Sequence, residues 1–205
     1  MAKATDNKTT VSIQPPNFQT ALFLIKGTAP FVQNKFSNKA REEIKATQMA
    51  GSTSRKGKKR DPKDFMAVFE AAKHYSSDGW IGIPAPSFRA AMISACRVCG
   101  YQMTKAKLAF FIEADGFDAD DGTPLVRIIN GEPQYHESAV RLDLGGTDIR
   151  PRPMWMPGWE AEVRIKYDAD MFDLSSIANL LLRAGQQVGI GEGRPDSKKS
   201  CGMGW

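Results

Sequence analysis

Two groups of residues in this chain have types and spacings suited to chemistry, and both point to anions. The first lies near the C-terminus, where Gly189, Gly191, Gly193, Gly202 and Gly204 are interleaved with Arg194, Lys198 and Lys199. Glycines, having no Cβ, let a loop fold back tightly and bring backbone N–H groups close to a ligand, and the cations suit that ligand to be a phosphate. The run is not a Walker loop, because no G-x-x-x-x-G-K-[ST] occurs in it. Nor is it a dinucleotide fingerprint, since Gly189-Ile-Gly191-Glu-Gly193 follows a helical pattern instead of opening one after a strand. Glycines serving only as helix stop and turn residues in a flexible tail would give the same composition.

The second group is a basic segment. Between Lys35 and Lys63 ten cations stand against Glu42, Glu43 and Asp61, a net +7 in a chain whose total is +5. The rest of the chain is therefore about −2, so the basic character belongs to this one segment, most densely to Lys56, Lys58, Lys59 and Arg60. Such a run is a footprint for a polyanion; a solvated charge run has the same appearance, and the two are compatible because basic loops often order on nucleic acid.

Other chemistries find less support. Cys96 and Cys99 have the C-x-x-C spacing but sit in a helical pattern with no second cysteine or histidine pair, and Cys201 leaves the count odd. Buried thiols are expected there, with no metal, no other cofactor and no disulfide framework. His74 and His136 are the only histidines, and neither has a recognisable partner for acid–base work. Asp61, followed by Pro62, reads as a helix cap. The acidic stretch from Asp115 to Gly122 departs from the calcium-loop spacing, and turn chemistry in a hairpin explains its aspartates and glycines. A binder without hydrolytic activity is the expectation.

The elements that must position these residues follow from periodicity. Phe18 to Lys26 reads as a strand with both faces apolar, hence a central one, broken by Gly27 to Pro30. Asn38 to Met49 suits a polar helix, and Ala50 to Lys59 a mobile stretch. The stripe Phe65, Val68, Phe69 and Ala72 predicts a helix capped by Asp61, with His74 at its end. Trp80 to Ile83 suits a short strand, and Pro84 to Gly100 a helix with Phe88, Ala91, Met92, Ala95, Cys96 and Cys99 inward and Arg89 and Arg97 outward. Leu108 to Ala114, Leu125 to Ile129 and Ser138 to Leu142 suit strands, and prolines hold Arg150 to Pro153 extended. From Trp159 to Tyr167 apolar and charged residues alternate strictly, the mark of a half-buried strand. A last helix follows, capped by Asp173 or Ser175, with Ile177, Leu180, Leu181 and Ala184 inward.

Strands and helices in this order suggest an α+β sandwich of ferredoxin type, with helices on one face of an antiparallel sheet. The chain divides into a polar leader over 1–16 and a single domain over 17–205, with the basic insertion at about 34–63. No apolar run approaches membrane-spanning length and the first residues lack a secretory pattern, so a cytoplasmic protein with no membrane contact is expected.

Three stretches together resemble the RAMP superfamily of CRISPR-associated proteins. Residues 82–97, Gly-Ile-Pro-Ala-Pro-Ser-Phe-Arg-Ala-Ala-Met-Ile-Ser-Ala-Cys-Arg, are similar to the start of that family's first helix. Pro157-Gly-Trp-Glu-Ala-Glu-Val-Arg-Ile165 is similar to its later proline-glycine approach to a strand. Leu180 to Trp205, with Gly-Ile-Gly-Glu-Gly-Arg-Pro and Gly-Met-Gly, is similar to its second helix and glycine-rich loop. Ala85 and Pro86 stand where that family usually has glycine and serine. The chain also stops at Trp205, where the family normally continues into a closing strand.

The resemblance implies a modified ferredoxin-like, RNA-recognition-type fold and a role like that of the helical backbone subunits of CRISPR effector complexes, or of a lone phage-encoded member. Such subunits stack head to tail along RNA and grip its backbone. The combined expectation is sequence-tolerant binding of single-stranded RNA or DNA, RNA first, through phosphate. Gly189, Gly191, Gly193, Arg194, Lys198 and Lys199 would form one side, and Arg89, Arg97, Lys56, Lys58, Lys59 and Arg60 the others. Copies of the chain itself, and other CRISPR-type subunits, are the implied protein partners. Trp155 and Trp159 read as core residues more than stacking residues. Alternatives are a RAMP-like endoribonuclease, a single-stranded-DNA-binding phage protein, and a module docking an acidic protein through the basic loop.

Overall fold

The computed structural model describes residues 13–36, 64–141, 146–198 and 200–205, and positions 42 and 46 between them. Its strands, in chain order, are β1 (Phe18–Lys26), β2 (Phe31–Val32), β3 (Gly82–Pro84), β4 (Phe110–Glu113), β5 (Gly116–Phe117), β6 (Pro124–Asn130), β7 (Gln134–Arg141), β8 (Thr147–Trp155) and β9 (Glu160–Asp168). The helices are α1 (Phe65–Ala71), α2 (Ala85–Val98), α3 (Met103–Ala109) and α4 (Leu174–Arg183), the last running into a π-helical turn over Ala184–Val188. All strand pairing is antiparallel. The described residues form an α+β protein of antiparallel sheets and four α-helices.

The alternation around β9 makes it the centre of the main sheet. Ala161, Val163, Ile165 and Tyr167 are buried, while the residues between them face the other way. β1 pairs along one edge of β9 over its whole length, from Phe18 opposite Asp168 to Lys26 opposite Glu160. On the other edge β4 and β6 lie end to end, and β3 and β5 pair with β6 beyond them. A smaller sheet has the order β2-β8-β7. The core joins the inner face of the main sheet to Phe88, Ala91, Met92 and Ala95 of α2 and Ile177 and Leu180 of α4. Trp155 and Trp159 close one end of it, each ring centroid 5.4 Å from that of Phe31, and both are buried as core residues.

Several expectations are corrected. β1 is an edge strand of the main sheet instead of a central one, with Leu22 56% and Leu24 64% exposed on the open face. Apolar residues on both sides of a strand gave no way to tell a covered face from an open one. α1 is capped not by Asp61 but by Asp64, whose carboxylate accepts the Ala67 N–H at 3.0 Å; Asp61 lies outside the described residues. Leu108 and Ala109 end a helix, α3, and the strand begins only at Phe110. Cys96 alone is a buried thiol, for Cys99 and Cys201 are exposed. Arg150 to Pro153 is extended as expected, but as part of a nine-residue strand, with Pro151 and Pro153 each paired opposite a residue of β7. The expected mobile stretch at Ala50 to Lys59 lies outside the described residues; in the expected polar helix only Glu42 and Ala46 are described, and both are helical.

Candidate nucleic-acid interface

The glycine-rich loop takes its shape from the end of α4. Asp173 caps that helix by accepting the Ser176 N–H at 2.6 Å, and the π-turn ends when Gly189, at φ +71°, donates its N–H to Ala184 at 2.8 Å. From there the loop is pinned to the body of the protein. Glu192 donates its N–H to Val32 at 2.9 Å, Gly204 to Pro30 at 2.7 Å and Ile190 to Gly204 at 2.7 Å. Gly191, at φ +79°, runs so close to β2 that a Cβ would lie 2.6 Å from the Val32 carbonyl oxygen. The Trp205 carbonyl accepts from Thr28 and Ala29. The loop is thus a folded structure built onto the turn between β1 and β2. Most of its amides are engaged; those of Gly191, Gly193 and Arg194 are among the ones that donate to no described residue.

Between this loop and α2 lies a groove of about 240 Å³. Ser87, Ala90 and Ser94 line it from the helix, at spacings that share one helical face, and Arg97 continues that face. Gly189, Gly191, Arg194 and Asp196 line it from the loop. The small side chains of α2 make room for the loop, and the glycines let its backbone approach.

At the rim one predicted cation, Arg97, pairs with a carboxylate, Asp196, and a second, Arg194, lines the same groove. Ser94 Oγ donates to Asp196 Oδ2 at 2.7 Å and Arg97 to Asp196 Oδ1 at 2.8 Å. The Ser94 hydrogen bond, then the charges of Arg97 and Arg194, hold the Asp196 carboxyl below its ordinary value. Arg194 is exposed and donates only to its own loop, to the Gly191 carbonyl at 3.3 Å. Lys198 is exposed on the same loop and bonds to no described residue. Two arginines and one carboxylate leave a net positive rim with exposed donors, an arrangement that can take a phosphate beside or in place of Asp196.

Arg89 is not brought to this groove. Its guanidinium donates to the carbonyl of Phe110 at 3.1 Å and to that of Lys107, tying α2 to the junction of α3 and β4. Lys56, Lys58, Lys59, Arg60 and Lys199 lie outside the described residues.

A second polar constellation escaped sequence reasoning. His74 has a partner after all: its Nδ1–H donates to Asp118 Oδ2 at 2.8 Å. Lys35 Nζ donates to the other Asp118 oxygen at 2.7 Å and to Asp120 at 2.6 Å, with the Lys35 side chain 4% and the Asp118 side chain 0% exposed. Gln33 completes the cluster, donating to the Gly82 carbonyl at 2.7 Å and accepting the His74 N–H at 3.1 Å. Burial opposes the charge of Lys35 and of Asp118, but their mutual pairing prevails, raising the lysine and lowering the carboxyl. Burial lowers His74, outweighing the hydrogen bond and charge of Asp118, and the nearby Lys35 ammonium adds to the lowering. These partners are 44 and 83 residues apart in sequence, beyond any local spacing. Lys35, counted above with the basic segment, spends its charge inside the protein and fixes the root of that segment.

The acidic stretch is likewise committed to the protein. Asp115 accepts from the Arg127 amide at 2.8 Å and from the Arg164 side chain, and Asp121 from the Thr123 amide at 3.0 Å. His136 lies opposite Arg152 in the β7–β8 ladder, and its imidazole makes no hydrogen bond to a described residue. The chain matches no protein-family model and no curated protein sequence.

Proposed function

We propose that this protein binds single-stranded nucleic acid, RNA in first place, through its phosphates and without hydrolysing it. The observation that carries the reading is the ion pair of Arg97 with Asp196 at the rim of the groove between α2 and the glycine-rich loop, with Arg194 exposed on the same rim. A guanidinium is suited to phosphate by its planar fork of donors, and an anionic side chain held by a serine and an arginine marks where an anion is favoured. The basic segment adds cations whose root is fixed by Lys35.

The reading includes a modified ferredoxin-like fold and head-to-tail assembly of copies as a backbone-type subunit, as in the RAMP superfamily. Its support is the sheet order: β1, then α2, then β4 and β6, with β9 between β1 and those strands, and α4 following β9. That is the arrangement a ferredoxin-like fold has when no strand occupies the place beyond β1.

Fluorescence anisotropy with labelled single-stranded RNA tests it. Log affinity should fall linearly with log salt, with a slope of about −0.7 per phosphate contacted. The double variant Arg97→Ala, Arg194→Ala should bind on the order of tenfold more weakly at low salt and show a shallower slope. Unchanged affinity and slope would remove the groove from the interface.

The endoribonuclease reading has one observation on its side, the His74–Asp118 hydrogen bond. That bond lies inside the cluster that holds Lys35, where it orders the root of the basic segment. Labelled RNA should therefore stay intact in overnight incubation; cleavage lost in His74→Ala would favour the enzyme.

A further inference from the structure

The face of the main sheet turned away from α2 and α4 carries aromatic rings with cations set over them. Phe18 on β1 and Phe111 on β4 are 37% and 40% exposed, and their rings meet edge to face with centroids 5.9 Å apart. Lys166 of β9 lies between those strands, opposite both Phe111 and Thr20, with Nζ 5.4 Å from the centre of the Phe18 ring. The Arg89 guanidinium stands 5.1 Å from the centre of the Phe111 ring. The nearest carboxylate along β9, Asp168, is turned to the Asp170 amide at 3.0 Å.

Three adjacent strands, with Arg89 reaching over from α2, therefore present two half-exposed rings and two cations at one end of an open sheet face, bordered by the carboxylates of Asp168 and Glu113. An apolar protein partner would leave the Lys166 ammonium without a paired charge there. A strand of unpaired bases supplies both a π-face for each ring and a phosphate for each cation. Thr20 is small enough beside Lys166 to leave the rings reachable.

We infer that this end of the open sheet face is a base-stacking platform for single-stranded nucleic acid, with Phe18 and Phe111 each taking a base and Lys166 and Arg89 the adjoining phosphates. Arg89, which the groove does not use, thereby acquires a role. The inference rests on the proposal that the protein binds single-stranded nucleic acid, but it names a surface separate from the groove.

The test compares a uridine oligonucleotide with an abasic ribose-phosphate oligonucleotide of the same length, by anisotropy at fixed salt. The wild-type protein should prefer the base-containing strand by on the order of tenfold or more. Phe18→Ala and Phe111→Ala should each erase much of that preference without changing the salt slope, while Phe18→Tyr and Phe111→Tyr should keep it. Equal binding of both strands by the wild type would overturn the platform and leave the phosphate reading standing. Binding of neither strand would overturn both. A change in oligomeric size in the alanine variants, with base preference intact, would make the face a protein interface and also overturn the platform.

Discussion

Asp196 is the residue on which the proposed interface turns, because it holds in its own carboxylate the place an incoming phosphate would compete for. Asp196→Asn keeps an acceptor for Ser94 Oγ but frees Arg97 from a charge, so affinity for single-stranded RNA should rise by about two- to tenfold at low salt, read by anisotropy. The effect should vanish in an Arg97→Ala background, a double-mutant cycle that isolates the pair. The Lys35–Asp118–His74 cluster governs stability in a different way. His74 is held below its ordinary value of 6.5, so its contribution is complete above that pH and is lost as pH falls through its folded value. Asp118, held below 3.8, adds a further loss at lower pH, and Lys35, raised above 10.5, a loss as pH rises through its folded value. Thermal unfolding should therefore show a plateau bounded near 6.5 and 10.5. His74→Gln should flatten the part of the acid limb that lies just below 6.5. Asp118→Asn, which leaves the Lys35 ammonium buried with a weaker partner, should cost about 3–5 kcal/mol by denaturant unfolding.

At the scale of elements, the loop is a structure folded onto β2, and one backbone position controls it. Gly191→Ala places a Cβ against the Val32 carbonyl oxygen and the Phe31 ring at φ +79°. It should lower stability by at least about 1–2 kcal/mol, with a melting temperature lower by about 2–4 °C per kcal/mol. RNA affinity should fall with it as the loop shifts from α2. What could be read from the sequence here was whatever repeats locally. Strict alternation located β9, small and apolar residues at helical spacing located the inner face of α2, and Asp173 located the start of α4. Arg97 and Arg194 could be named as candidates, but the pairing of Arg97 with Asp196 could not, since it spans 99 residues. The edge position of β1 was hidden because Leu22 and Leu24 look like core residues in any window. The prolines of β8 disguised a strand, since a proline lacks the N–H of a ladder, yet Pro151 and Pro153 are buried and sit opposite Glu137 and Tyr135 of β7. His74 appeared partnerless because Asp118 sits in a stretch that reads as turn chemistry.

For the whole molecule, a net charge of +5 whose basic character belongs to one segment, and a main sheet whose β1 edge no described strand covers, suit a subunit that lines up along a polyanion. Binding should accordingly be cooperative and should strengthen as the single strand lengthens beyond one subunit's footprint, whereas a docking module for an acidic protein would bind short and long strands alike. The most direct measurement of the central claim is made on protein purified from cells with no nuclease added. Its absorbance ratio at 260 and 280 nm is read first, and its size by light scattering before and after separate RNase and DNase digestion. Nucleic acid should co-purify in an assembly larger than one chain that RNase collapses. A clean monomer that ignores added RNA at low salt would contradict it.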